Sequence, residues 1–471
     1  MGRLIRKSWP EGLLFLFVLG TWLFWAFLLP LNEGPDENMR LQIVQFILEY
    51  RKLPTGWQKE IMDYTWGFTY GFRPILPQLL EALFVWGAMM FTKDAFSLLF
   101  AARLASIFCG IVFFWYVWKL GGVFFEKRIH RQLFLMLNVC LPQSVFLFTY
   151  LNCDSMALMA SAMILYYLLR GERDSYSVRT CMCLGGSLSL CVLSYYNAYG
   201  FLVTGVLIFG GFFLDRIRKG EKRQGEFWWK GFLILGLVLA LTGWWFVRNY
   251  RLYDGDFLGL KTQEACAQRY AMDIFKPSGR RNGMNMGMSL GDMLFRTDWV
   301  ILVFKGFVGV LAPLTEARRD WIFVGYGLLF LVGGLGILWE CVGGLRGRRC
   351  LDVFGIGVHL GLVVAVVLPN ALNVWYSYSN DYQPQGRYSM PMLVPFMYYV
   401  VRGVGFFGTR VQERWGERGK NFGKIAGRLV CWWMVLVLGF CSLGIMWPAY
   451  QDVENKAEVR VYGLEELFGG R

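Results

Sequence analysis

Residues 12–30 read GLLFLFVLGTWLFWAFLLP and carry no charge. As a helix rising 1.5 Å per residue, such a run matches a bilayer hydrocarbon core about 30 Å thick. Comparable runs recur at 101–120, 132–150, 155–169, 181–196, 199–214, 231–247, 321–342, 351–369, 388–403 and 429–448. Only 17% of the residues are charged, where a soluble domain has about 25%. The charges cluster between the apolar runs. The fold class expected is an all-α, multi-pass membrane protein with about eleven spans, the count being set by the length of each run. The basic start MGRLIRK suits a leader, but the run after it is long and no small-residue cleavage site follows. An anchored first helix is expected there.

Lysine and arginine give the orientation. RLIRK precedes the first run, and EKRIHR, RGERDSYSVR, DRIRKGEKR, RGRR and the segment 402–428 separate later pairs. All fall on one side when the N-terminus is cytoplasmic. That agreement requires two further apolar stretches, 74–92 and 299–314, to lie at the outer interface; if both span, the count becomes thirteen. The expected organisation is one transmembrane domain, 1–449, with long outer loops at 31–100 and 248–320 and a short outer tail at 450–471. The place expected for the protein is the cell membrane.

The net charge of +14 is spread over the loops rather than gathered on one face. It suits anionic lipid and excludes nucleic acid as the expected partner. Eleven cysteines and only two histidines fit small hydrophobes in apolar runs, not a disulfide framework or a zinc site.

Candidate chemistry gathers at the outer ends of the runs. The segment EGPDEN after the first run offers Glu33, Asp36 and Glu37. Pro35 suits a first helical position, which puts Asp36 and Glu37 in the first turn. Acids there also offset the helix dipole. The following residues place Leu41, Val44 and Leu48 on one face and Gln42, Gln45 and Glu49 on another, as in a helix resting on a membrane surface. LNCDSMA puts Asn152 and Asp154 in a short outer turn, where a carboxylate is costly unless partnered; an N-cap turn is the plainer account. SYYNAYG reads first as an interfacial aromatic belt. WWFVRNYRLYDGDFLG brings Arg248 to the outer interface, and PQGRYSMP brings Gln385, Arg387 and Tyr388. Both arginines also suit simple anchoring. Together, acids and arginines on one side can form a cleft in which a carboxylate acts as base and guanidinium groups hold phosphate.

In their order, EGPDEN, RLASIFCGIVFFWYVWKLGG, LNCDSMA, WWFVRNYRLYDGDFLG and PQGRYSMP resemble the GT-C superfamily of polytopic glycosyltransferases. The resemblance covers about 12–403. More narrowly it is to relatives of the protein O-mannosyltransferases and aminoarabinose transferases, and to a bacterial group with a PPDE-like first-loop motif. It implies a GT-C-like bundle and transfer of a sugar from a polyprenyl-phosphate donor, with inversion, on the outer face. It assigns catalysis to Asp36 or Glu37, with Asp36 preferred. It assigns substrate binding to Asp154, Arg248 and Arg387, and Asn152, Gln385 and Tyr388 are expected to join them from the same outer segments. No cofactor is fixed; a divalent metal serves some relatives, and no metal ligand is assigned here. The acceptor is a glycan, lipid or protein hydroxyl. The departures are GPDEN where PPDEP followed by histidine is expected, and Asn197 where several relatives have lysine.

Other readings are a transporter or flippase for a lipid-linked saccharide, a polysaccharide polymerase or ligase, and a non-catalytic assembly subunit. A transporter would place charge at the bilayer midplane and often show inverted repeats, and neither is visible. His359 within the ninth run reads as a core histidine.

Overall fold

The computed structural model describes residues 9–221, 224–310, 319–346 and 352–453. Among them the chain is helical, with one isolated bridge, between Asp63 and Phe68, and no strand. The first run forms α1 (Trp9–Leu28). The first loop folds into α2 (Glu37–Tyr50), two 3-10 turns and α3 (Leu76–Ala88). Then come α4 (Ala95–Phe124), α5 (Arg128–Val139), α6 (Pro142–Leu147), α7 (Asp154–Asp174), α8 (Val178–Val192), α9 (Gly200–Arg218) and α10 (Gln224–Leu252). The second loop holds α11 (Leu260–Tyr270), α12 (Leu290–Phe295) and α13 (Trp299–Gly309). The chain ends in α14 (Asp320–Arg346), α15 (Val353–Ser379) and α16 (Leu393–Cys441).

A helix occupies each expected span. Seven helices among the described residues are long and apolar enough to cross a bilayer. The remainder are shorter or more charged, so eleven is a count of apolar segments rather than of full-length spans. The third segment, 132–150, is not one helix. It breaks at Cys140–Leu141 because Pro142 has no N–H to donate and its ring crowds the carbonyl four residues back. The segments 74–92 and 299–314 become α3 and α13, about 20 and 17 Å long at helical rise, too short for the hydrocarbon core. Neither lies loose on a surface. α3 packs against α2 and α4, and α13 is wedged between α6 and the 3-10 segment 386–392. Residues 311–314 lie outside the described residues, as do the basic start at 3–7, the end of the basic run at 347–349 and the tail from 454.

α2 also departs from expectation. It is embedded rather than surface-resting, with Glu37, Arg40 and Gln45 buried along with Leu41 and Val44. The segment 402–428, expected as a loop, is helical. α16 is a hairpin whose arms meet at Gly416 (φ 59°, ψ −134°).

The core is aromatic. Trp22, Trp25, Phe113 and Phe148 are wholly buried between α1, α4 and the 148–153 turn. The Trp25 indole donates to Ser442 Oγ at 2.9 Å, tying the first helix to the end of α16. Outward leucines such as Leu235 and Leu239 on α10 are exposed, as a lipid-facing stripe requires.

Candidate functional site

Each of the three acids in EGPDEN takes a partner from a different part of the chain. Glu33 accepts from the Tyr450 hydroxyl at 3.1 Å. Glu37 is fully buried and pairs with the equally buried Arg103 of α4. Its Oε1 accepts from Arg103 Nε (2.8 Å) and the Leu151 N–H (3.2 Å), and its Oε2 from Arg103 Nη2 (2.8 Å) and the Asn32 N–H (3.1 Å). Arg103 spends its other donors on the carbonyls of Ala26, Leu29 and Pro30 at the end of α1. Glu37 is therefore committed to holding α1, α2, α4 and the 150–153 turn together.

Asp36 is different. It precedes α2 rather than standing in its first turn, in a left-handed conformation (φ 64°, ψ 15°), and its side chain caps no helix N–H. Aspartate tolerates that region better than most residues, but the strain remains, and such strain gathers at functional sites. The carboxylate turns inward, where Oδ2 accepts from Arg387 Nη2 at 3.1 Å. Arg387 is placed by the 386–392 turn. Its neighbour Gly386 presses on α13 so closely that a Cβ there would lie 2.0 Å from the Phe307 nitrogen. Tyr388 lies beside the Arg387 guanidinium (5.5 Å) and donates to Gln383 Oε1 at 2.7 Å.

Arg40, one turn along α2 from Asp36, is 5% exposed. Its guanidinium sits 4.2 Å over the Tyr70 ring, and Arg73 approaches the same ring at 5.2 Å. Arg73 Nε donates to Gln263 Oε1 at 2.8 Å. Asp154, at the start of α7, is 3% exposed and within electrostatic reach of Arg387, Arg40 and Asp36. Two acids and three arginines thus share one region, and a third buried acid, Glu81 of α3, lies within electrostatic reach of Arg40. Burial raises the Asp36 carboxyl, but Arg387 and Arg40, with a lesser contribution from the Tyr70 hydroxyl, outweigh it and hold the group below its ordinary value.

Arg40 Nε, Arg387 Nε, the Tyr150 hydroxyl and Asp154 Oδ1 are buried with no hydrogen-bond partner in the protein. Buried polar groups are nearly always paired, so four orphans in one place mark where a polar ligand fits. Among the described residues no three His, Cys, Asp or Glu side chains come together as a metal cluster.

Asp36, Asp154, Arg387 and Tyr388 come together. Asn152 builds the turn beneath them: its amide donates to the Leu147 and Tyr150 carbonyls, and its Oδ1 accepts from the Ser155 N–H. Gln385 contributes a carbonyl to Asn373 at 3.1 Å. Arg248 instead binds the Pro54 carbonyl and stacks on Trp245 (4.9 Å), fastening the first loop to α10. Sequence reasoning missed Arg40, Tyr70, Arg73 and Tyr150. The available signal was Arg40, which falls on the side of α2 that carries apolar residues.

The fold is similar to that of the oligosaccharyltransferase of Archaeoglobus fulgidus, solved tethered to an acceptor peptide. Identity is 12% and the TM-score 0.55, over 94% of this chain and 56% of that one. A second structure of that enzyme, AglB with an inhibitory peptide and a dolichol-phosphate, gives 13% identity and a TM-score of 0.54, over 92% and 56%. ArnT from Cupriavidus metallidurans gives 14% and 0.51, over 98% and 76%. The chain thus spans little more than half the length of the archaeal enzyme. Both neighbours are GT-C membrane glycosyltransferases, and at these identities the likeness is one of fold. No curated protein matches the sequence. One family profile matches residues 55–396, and the chain therefore belongs to the family described as predicted membrane protein (DUF2142).

Proposed function

We propose that this protein transfers a sugar from a polyprenyl-phosphate donor to an acceptor hydroxyl, with inversion, at the outer face of the membrane. The observation that carries the reading is the cluster of orphaned polar atoms around Asp36, set among buried guanidinium groups. An anion and a hydroxyl together would satisfy it: phosphate oxygens accept from Arg40 and Arg387, and a hydroxyl donates to a carboxylate.

In the reaction, the acceptor oxygen attacks the anomeric carbon and its proton passes to Asp36. The bond from that carbon to the phosphate oxygen breaks on the opposite face, and the lipid phosphate leaves as an anion with the electron pair. The transition state has oxocarbenium character, as in glycoside hydrolysis. Arg387 and Arg40 stabilise the charge that grows on the phosphate, about 3 kcal/mol for each well-placed donor. Arg73 shares the Tyr70 ring with Arg40 and adds its charge there. This assignment replaces Arg248, whose donors serve the first loop.

Arg387 and Arg40 also explain how Asp36 becomes a base. Without donor they hold its carboxyl down. A bound phosphate shares their charge, so the Asp36 carboxyl rises and gains proton affinity as the donor arrives. Donor binding then precedes activation of the acceptor. Asp36→Asn should abolish transfer from defined lipid-phosphate sugars in proteoliposomes while leaving expression and membrane insertion intact. Full activity in that variant would remove Asp36 as the base.

A further inference from the structure

We propose that the helical hairpin around Gly416 binds anionic phospholipid headgroups, on the membrane face opposite the Asp36–Arg387 site. The inference stands apart from the transferase reading and uses none of its residues.

Length sets the depth. From Leu393, just past the turn that carries Arg387, the first arm of α16 runs about 35 Å to Gly416 at helical rise. A bilayer has a core of about 30 Å and measures about 40–45 Å with its headgroups. The arm therefore ends within the far headgroup layer instead of projecting into water. At the tip Gly416 adopts φ 59° and ψ −134°, a conformation open essentially to glycine. The second arm folds back at once, so tightly that a Cβ on Gly419 would lie 2.4 Å from the Val411 carbonyl oxygen.

Two features of the surface select the occupant. The first is an apolar stripe along the second arm. Leu443, Leu436 and Trp432 are exposed where lipid tails cover the bundle, and the same line continues through Leu429, Ile425 and Phe422 to the tip. There Phe422 meets the exposed Trp415 edge-on, with ring centroids 6.3 Å apart. Aromatic side chains of this kind favour the headgroup level. The second feature is charge. Arg410 pairs with Glu413 and Lys420 with Glu417. Arg414, Arg418, Lys424 and Arg428 form no close ion pair or hydrogen bond among the described residues, and of the four only Lys424 lies within electrostatic reach of Glu417. A stripe continuous with the lipid-covered face, flanked by unpaired cations at headgroup depth, complements anionic lipid. A soluble protein partner would leave the inner part of the stripe still facing tails.

The full chain would be reconstituted in nanodiscs of phosphatidylcholine with phosphatidylglycerol, and the retained lipid counted by native mass spectrometry. Each cation near such a surface strengthens anionic-lipid binding about fivefold. Replacing Arg414, Arg418, Lys424 and Arg428 with glutamine should therefore lower the enrichment of phosphatidylglycerol about tenfold or more, and lysine at the three arginine positions should preserve it. All four side chains are exposed, so the fold should survive, as an unchanged thermal midpoint would verify. A photoreactive phenylalanine analogue at Phe422 should cross-link to lipid. Equal lipid enrichment in the glutamine variant, or a Phe422 probe that captures only protein or water, would overturn the proposal.

Discussion

Neighbouring acids in EGPDEN divide the work, and each variant should fail in its own way. Glu37 and Arg103 form a two-point ion pair in the buried interior, and backbone groups take their remaining hydrogen bonds. Removing one member of a buried pair strands the other, at about 3–5 kcal/mol. Arg103→Leu should therefore lower the thermal midpoint and the yield of folded protein. Turnover per folded molecule should survive, because Arg103 touches none of the orphaned atoms. Asp36→Asn should lose turnover, with a smaller fall in the midpoint than Arg103→Leu, because its ion pair is partly exposed and asparagine keeps the shape of the side chain. Sequence reasoning separated these roles only through the resemblance, since the partner that decides them lies at position 103, inside an apolar run. Asp36 and Arg387 were both legible as chemistry, but not as a contact, because they stand at opposite ends of the chain. The pH dependence follows from that contact. Asp36 is held below the ordinary aspartate value, near 3.9. Its ionised form therefore favours the fold above the unfolded pKa, and that contribution fades as pH falls through the folded value. In Arg387→Gln the largest remaining influence is burial, which raises the carboxyl. The acid limb of kcat/KM should then move to higher pH. A limb that stays in place would separate Arg387 from the state of Asp36.

Helices were the most legible elements, because apolar runs long enough for lipid leave the backbone few other ways to satisfy itself. Their interruptions were less so. Pro142 announces the break between α5 and α6, yet the surrounding residues are apolar enough to read as one span. In the sequence the hairpin of α16 looks like a loop because its charges resemble a basic connection, whereas Arg410–Glu413 and Glu417–Lys420 sit at helical spacing and support the arms. Packing between elements was not legible at all. α14 and the first arm of α16 meet backbone to backbone: a Cβ on Gly403 would lie 1.8 Å from the Gly333 carbonyl oxygen, and one on Gly336 2.2 Å from that of Gly403. Small residues permit such approach between membrane helices. Gly403→Ala should force the helices apart and lower the thermal midpoint in detergent, at the upper end of the about 1–3 kcal/mol range for overpacking. Gly334→Ala, on the facing helix α14 with nothing within 4 Å of its Cβ, should leave the midpoint unchanged.

At the scale of the whole molecule, the proposed catalytic site and the proposed lipid-binding hairpin sit at opposite ends of one bundle, and α16 joins them. Its first arm starts beside Arg387 and ends at the basic tip. By the Lys and Arg bias the tip is expected in the cytoplasm, with the proposed site at Asp36 on the outside. This polarity matters physically, because the proposed donor presents its sugar from one leaflet while anionic headgroups attract the tip from the other. The two faces can be told apart by labelling. Glu33 is exposed beside Asp36 and Asn421 is exposed beside the tip. Of the cysteines in the described residues, Cys341 alone is exposed and the others are buried or half-buried, so Cys341→Ser, combined with Cys350→Ser for the one cysteine outside the described residues, gives a quiet background. In intact cells a membrane-impermeant maleimide should modify Glu33→Cys and spare Asn421→Cys, and permeabilisation should expose the second. Labelling of Asn421→Cys in intact cells would turn the bundle over and place Asp36 in the cytoplasm. Labelling of both positions before permeabilisation would mean that the arm from Leu393 to Gly416 does not cross the membrane, and both the outer site and the headgroup-binding hairpin would fall with it.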